Sequence, residues 1–190
     1  MAKKDELPDK LPPRNIDAEK SLLGGLMMDK EAIYKIIDFF QVKDFYETDH
    51  RDIYQAMVDI VDESGSIDLL SVANRLEEKE LLEKIGGNSY LTELVNSVPT
   101  ASHVGEYAKI IQKKRILREM IQAGQEISIA GYNEDKNVEE VLDEAEQKIF
   151  SIKAPREFYK AGREALRRAK MKLPLNAKIS LDKGEEMISS

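Results

Sequence analysis

Residues 103–152 hold the pattern that most narrows what this chain can become: two amphipathic helical runs joined by one short polar turn. In the first run Tyr107, Ile110, Ile111, Leu117, Met120, Ile121 and Ile127 recur near the three- and four-residue steps that place side chains on one helix face. In the second, Val138, Val141, Leu142, Ala145, Ile149 and Ile152 repeat that spacing, with Asn137 and Glu140 placed to satisfy the open N–H groups where the helix begins. The connection, Gly131-Tyr132-Asn133-Glu134-Asp135-Lys136, is turn-prone and too short to link domains, so the spacing predicts a helical hairpin. Two helices alone hide apolar stripes poorly. The hairpin must therefore pack on the preceding residues, on a second copy, or on both. Tyr107, Ile111, Leu117, Met120 and Ile121 of the first arm and Val141, Leu142, Ala145 and Ile149 of the second are the candidate oligomer interface.

Composition agrees with helices. Charged residues make up 34% and aromatics 6% of 190 residues, tryptophan is absent, and no segment alternates as a strand does. With no cysteine, a disulfide framework and a thiolate metal site are excluded, and His50 and His103 lie too far apart in sequence to suggest a metal. Neither a signal peptide nor a bilayer-length apolar run occurs, which predicts a soluble cytoplasmic protein with no membrane partner. The net charge of −7 conceals a split, because residues 153–172 carry eight basic side chains against two acidic ones. A protein-binding body and a tail suited to nucleic acid or an acidic surface follow from that asymmetry.

Taken in order, residues 1–11 read as a disordered arm, and Asn15 caps a helix whose buried face is Leu22, Leu23, Leu26 and Met27. Gly24 and Gly25 inside that run predict the close approach of another backbone. No Gly-Lys-Ser/Thr follows them, so a phosphate loop is disfavoured. A short helix through Ile33, Ile36, Ile37 and Phe40 comes next, then one from about Asp49 that ends at Ser64-Gly65. Asp68 caps a fourth helix, with Ile67 and Val72 as its hydrophobic staple, and Tyr90, Leu91, Leu94 and Val95 mark a fifth that ends before Pro99. The expected architecture is all-α: a small orthogonal helical domain over 12–100, a long hairpin over 101–152, and a basic, partly helical linker-like tail over 153–190.

The order of motifs resembles the amino-terminal collar domain of DnaB-type replicative DNA helicases. Residues 12–25, reading PPRNIDAEKSLLGG, resemble the opening of that domain, and Asp44-Phe45-Tyr46, His50-Arg51-Asp52-Ile53-Tyr54, Gly65-Ser66-Ile67-Asp68, Gly86-Gly87-Asn88-Ser89-Tyr90-Leu91 and Val98-Pro99-Thr100-Ala101 follow in the family's order. Tyr107-Ala108-Lys109-Ile110-Ile111 and Arg115-Ile116-Leu117-Arg118-Glu119-Met120 resemble the family's hairpin. The resemblance covers about residues 12–152. It implies that six copies form a collar of paired subunits that binds primase and, in some systems, a helicase loader.

ATP and magnesium belong to the family's motor domain, whose phosphate loop this sequence lacks, so no cofactor is expected here. No catalytic residue is nominated either: Ser71, Ser89 and His103 have no plausible catalytic partner in the sequence. Arg156, Lys160, Arg163, Arg167, Arg168 and Lys170 are candidate contacts for weak binding of single-stranded DNA. Two other readings compete with the collar module: a free-standing regulator that joins or blocks helicase collars, and a nucleic-acid-binding protein that works through its basic tail.

Overall fold

The computed structural model describes residues 11–98, 100–133 and 135–152, so the tail with its candidate DNA contacts and, apart from Leu11, the amino-terminal arm lie outside the described residues. Among those described, six α-helices form and no strand does: α1 Ile16–Met28, α2 Thr48–Asp62, α3 Leu69–Glu78, α4 Gly87–Asn96, α5 Val104–Gly131 and α6 Val138–Phe150.

α1 lies at the centre. Asn15 caps it by accepting a hydrogen bond from the Ala18 amide at 3.0 Å. Leu22, Leu23 and Leu26 are fully buried and share one core with Ile53 and Met57 of α2, Leu76 of α3, Leu91 and Leu94 of α4, and Ala108 and Ile111 of α5. Gly24 and Gly25 meet other parts of the chain closely, as the sequence predicted. A Cβ on Gly24 would lie 2.1 Å from the Leu94 carbonyl oxygen, and one on Gly25 would lie 2.8 Å from Val104 Cγ2. The glycine pair thus lets α4 and the start of α5 press onto α1.

Local signals place the remaining helices. Asp68 accepts from the Ser71 amide at 2.8 Å while Ser71 Oγ accepts from the Asp68 amide at 2.9 Å, and Ile67 and Val72 are both buried in the core. α2 stops at Ser64-Gly65 as expected, with Ser64 taking the left-handed conformation at φ 61°. Gly65 contributes in another way. Its amide donates to the Ile60 carbonyl at 2.8 Å, and a Cβ there would sit 2.9 Å from that same oxygen. Ile33 lies in a four-residue 3-10 turn, Ala32–Lys35, followed by further turns to Phe40, so the short helix expected here is not an α-helix. Ile33, Ile36 and Phe40 are buried all the same, which is what their spacing encoded.

Candidate assembly interface

The hairpin stands on a junction made by the first half of α5. Val104, Ala108 and Ile111 enter the core beside α1, and three polar side chains on the same side of the helix, about one turn apart, bind the loops below. Gln112 Nε2 donates to the Phe39 carbonyl at 2.9 Å. Arg115 Nε lies 2.5 Å from Asp44 Oδ1, and its guanidinium also pairs with Glu119 one turn on. Arg118 donates to the Pro13 carbonyl at 2.9 Å and to the Asp44 carbonyl at 2.8 Å. Burial pushes the Asp44 carboxyl above its ordinary pKa, against the opposing pull of the Gln41 amide and of Arg115, and burial likewise lowers that of Arg118. Tyr46 completes the junction, with the Arg118 guanidinium 5.4 Å and that of Arg14 5.2 Å from its ring centre.

A second buried polar set holds the platform under this junction. His50 Nδ1 lies 2.7 Å from Glu19 Oε2 and His50 Nε2 lies 2.8 Å from the Tyr90 hydroxyl, which ties α1, α2 and α4 together. Glu19 also accepts from the Tyr46 amide at 2.6 Å, so the carboxylate is paired although only 1% exposed. By sequence alone Glu19 reads as a charge at the helix start. Its position three and four residues before Leu22 and Leu23 puts it on the buried face, and that spacing is the signal that could have revealed it.

Beyond the junction the hairpin changes character. Spacing alone puts the apolar residues of α5 on one face, but they divide between two. Ile111 is buried in the core at 1% exposure and Tyr107 is half-buried against it, whereas Leu117, Met120 and Ile121 face outward with 38%, 55% and 48% of their surface exposed. The cause is the helical period: Ile110, Leu117 and Ile121 fall on a line roughly opposite Val104, Ala108 and Arg115. α6 buries no residue at all. Leu142 and Ile149 are each 59% exposed, while Val141 and Ala145 are half-buried. Asn137 caps α6 by accepting from the Glu139 amide at 3.1 Å, and Lys148 of α6 pairs with Glu126 of α5. The candidate residues thus separate into a member spent inside one chain, Ile111, and an outward set around Leu117, Ile121, Leu142 and Ile149.

Among the described residues, no group of three or more His, Asp or Glu side chains is arranged to hold a metal ion, and no helix is long and apolar enough to cross a membrane. A helical platform carrying a hairpin with an apolar, open outer side presents a surface of the kind that marks interaction sites. The family model of the DnaB-like helicase N-terminal domain matches residues 11–113, and the chain belongs to that family. It is 40% identical over 148 residues to the replicative DNA helicase DnaC of Bacillus subtilis, covering 78% of this chain and 33% of that protein. The chain thus spans about a third of the length of that relative. The crystal structure of the N-terminal domain of DnaB helicase from Mycobacterium tuberculosis superposes with a TM-score of 0.71 at 36% identity, covering 75% of this chain and all of that one. A DnaB-like replicative helicase whose structure was determined with its interactions with primase superposes at 0.61 and 27% identity, over 80% of this chain and 34% of that one.

Proposed function

We propose that this chain acts in DNA replication as the assembly and docking part of a replicative helicase, pairing through its hairpin into a hexameric collar that receives primase and, where one exists, a helicase loader. The observation that carries the reading is the open outer side of the hairpin, where Leu117, Ile121, Leu142 and Ile149 remain exposed on the two helices beyond the junction. Burying a leucine-sized side chain contributes about 1.5–3 kcal/mol, so a few such contacts across two copies outweigh much of the entropic cost of association. Family membership and the likeness to a helicase studied with primase support the primase assignment. The chain works in the cytoplasm and performs no ATP hydrolysis alone, since its sequence offers no phosphate loop. Single-stranded DNA binds weakly to the basic segment from Arg156 to Lys170.

Calorimetric titration of the purified chain against primase from the same source tests the docking role. Saturable binding by a self-associated chain is the expected outcome. No binding by a self-associated chain would remove primase as a partner, and binding by a strictly monomeric chain would remove the collar.

A further inference from the structure

The buried carboxylates of the junction are compensated within the chain. Asp44 and Glu119 pair with Arg115, and Glu19 accepts from the Tyr46 and Glu47 amides beside His50. Three guanidinium groups next to them have no such compensation. Arg118 donates to the Pro13 carbonyl at 2.9 Å and to the Asp44 carbonyl at 2.8 Å, and Arg51 Nε donates to the Phe45 carbonyl at 3.0 Å. Arg14 directly follows Pro13, so all three are anchored on two short segments, residues 13–14 and 44–46. Their contacts are neutral: these carbonyls and the Tyr46 ring, whose centre lies 5.2 Å from the Arg14 guanidinium and 5.4 Å from that of Arg118. None of the three forms an ion pair among the described residues. Arg14 makes no hydrogen bond there, and Arg51 uses only its Nε. Arg14 is exposed, Arg51, Arg118 and Tyr46 are half-buried, and none of the unused nitrogens is sealed from solvent.

We propose that Arg14, Arg51 and Arg118 form a phosphate-binding site beside Tyr46, taking the phosphates of a free nucleotide or of a nucleic-acid strand. Like charges gathered in this way oppose one another. Burial lowers the Arg118 pKa, and Arg51 and Arg115 push in the same direction against Glu19 and Asp44, so an anion bound here relieves a cost that folding leaves in place. Guanidinium forks are planar, weakly hydrated donors that each engage two oxygens. Three neighbouring forks exceed what the two oxygens of a carboxylate use and suit the oxygens of a phosphate. The site draws on none of the basic residues between Lys153 and Lys172, and it does not depend on self-association. Because it joins the residues before α1, the first turn of α2 and the middle of α5, a bound phosphate braces the junction and stabilises the folded chain.

Calorimetric titration of the full chain with sodium pyrophosphate at low salt, alongside thermal melting, tests the site. The expected result is saturable binding at one site per chain and a rise in melting temperature. R14A/R51A should weaken binding about tenfold or more and abolish the rise, whereas R167A/R168A in the basic segment should leave both unchanged. Arg118 is kept because it also holds the junction, and circular dichroism checks the fold of R14A/R51A. If that chain unfolds, Arg14→Ala alone, at an exposed position, carries the comparison. Magnesium-free ATP and an oligothymidylate without terminal phosphates, each competed against pyrophosphate, tell the two sources apart. Displacement by ATP alone marks a nucleotide, displacement by the oligothymidylate marks a strand, and both results uphold the site. Displacement by neither, equal displacement by a glutamate-rich peptide, binding indifferent to the arginine substitutions, or no saturable binding of pyrophosphate overturns it.

Discussion

The two halves of α5 make the sharpest contrast in the molecule. From Val104 to Arg118 the helix is completed by its own chain: apolar side chains enter the α1 core, and Gln112, Arg115 and Arg118 spend their donors on loop carbonyls and a buried carboxylate. From Leu117 outward the same helix continues, yet Leu117, Met120, Ile121 and Ile129 remain exposed and only Ala123 is buried, while the helix paired with it has no buried residue. Local propensity is similar in the two halves, so what separates them is the supply of partners inside the chain. The first half is closed by folding, and the second is the half to which the proposed function assigns assembly.

That contrast predicts graded responses. The largest is expected deep on the folding side: Gly24→Ala sets a methyl 2.1 Å from the Leu94 carbonyl oxygen, so α1 and α4 must separate, at a cost of about 3 kcal/mol or more. Thermal melting should show a chain barely folded or unfolded, and a melt like that of the wild type would mean that α4 does not press on α1. Next comes a paired comparison across α5. Ile111→Ala should cost about 3 kcal/mol in a denaturant titration, as a buried isoleucine does, whereas Ile121→Ala should cost under about 0.5 kcal/mol in a monomeric background and weaken only association. Equal losses at the two positions would erase the distinction between the halves. The smallest loss on the folding side is expected for Arg118→Ala, which leaves the Pro13 and Asp44 carbonyls without a donor and should cost about 1–3 kcal/mol by the same titration. No change there would remove Arg118 from the junction.

Much of this organisation was legible in the sequence because it is written in local or periodic signals. Asn15, Asp68 and Asn137 announce helix starts by chemistry that needs no tertiary context, and the Gly24-Gly25 pair announces a close neighbour without naming it. What escaped depended on partners distant in sequence. Periodicity sorts apolar residues onto helix faces but does not say how many faces are covered, so Ile111 and Leu117 look alike until α1 covers one and not the other. Glu19 and Asp44 are hidden for a related reason. A carboxylate looks like a surface charge until the Tyr46 amide and His50, or Arg115, close over it.

The proposed function depends on the outer hairpin surface being reserved for another copy of the chain. Light scattering coupled to size-exclusion chromatography decides this when run on the wild type and on the double variant Leu117→Asp/Ile121→Asp, with circular dichroism melts of both. The expected result is a wild type of two or more copies and a variant that is monomeric, helical and melts close to the folded wild-type monomer, since both side chains face outward. A wild type that remains monomeric at high concentration, or a variant that unfolds instead of dissociating, would contradict it.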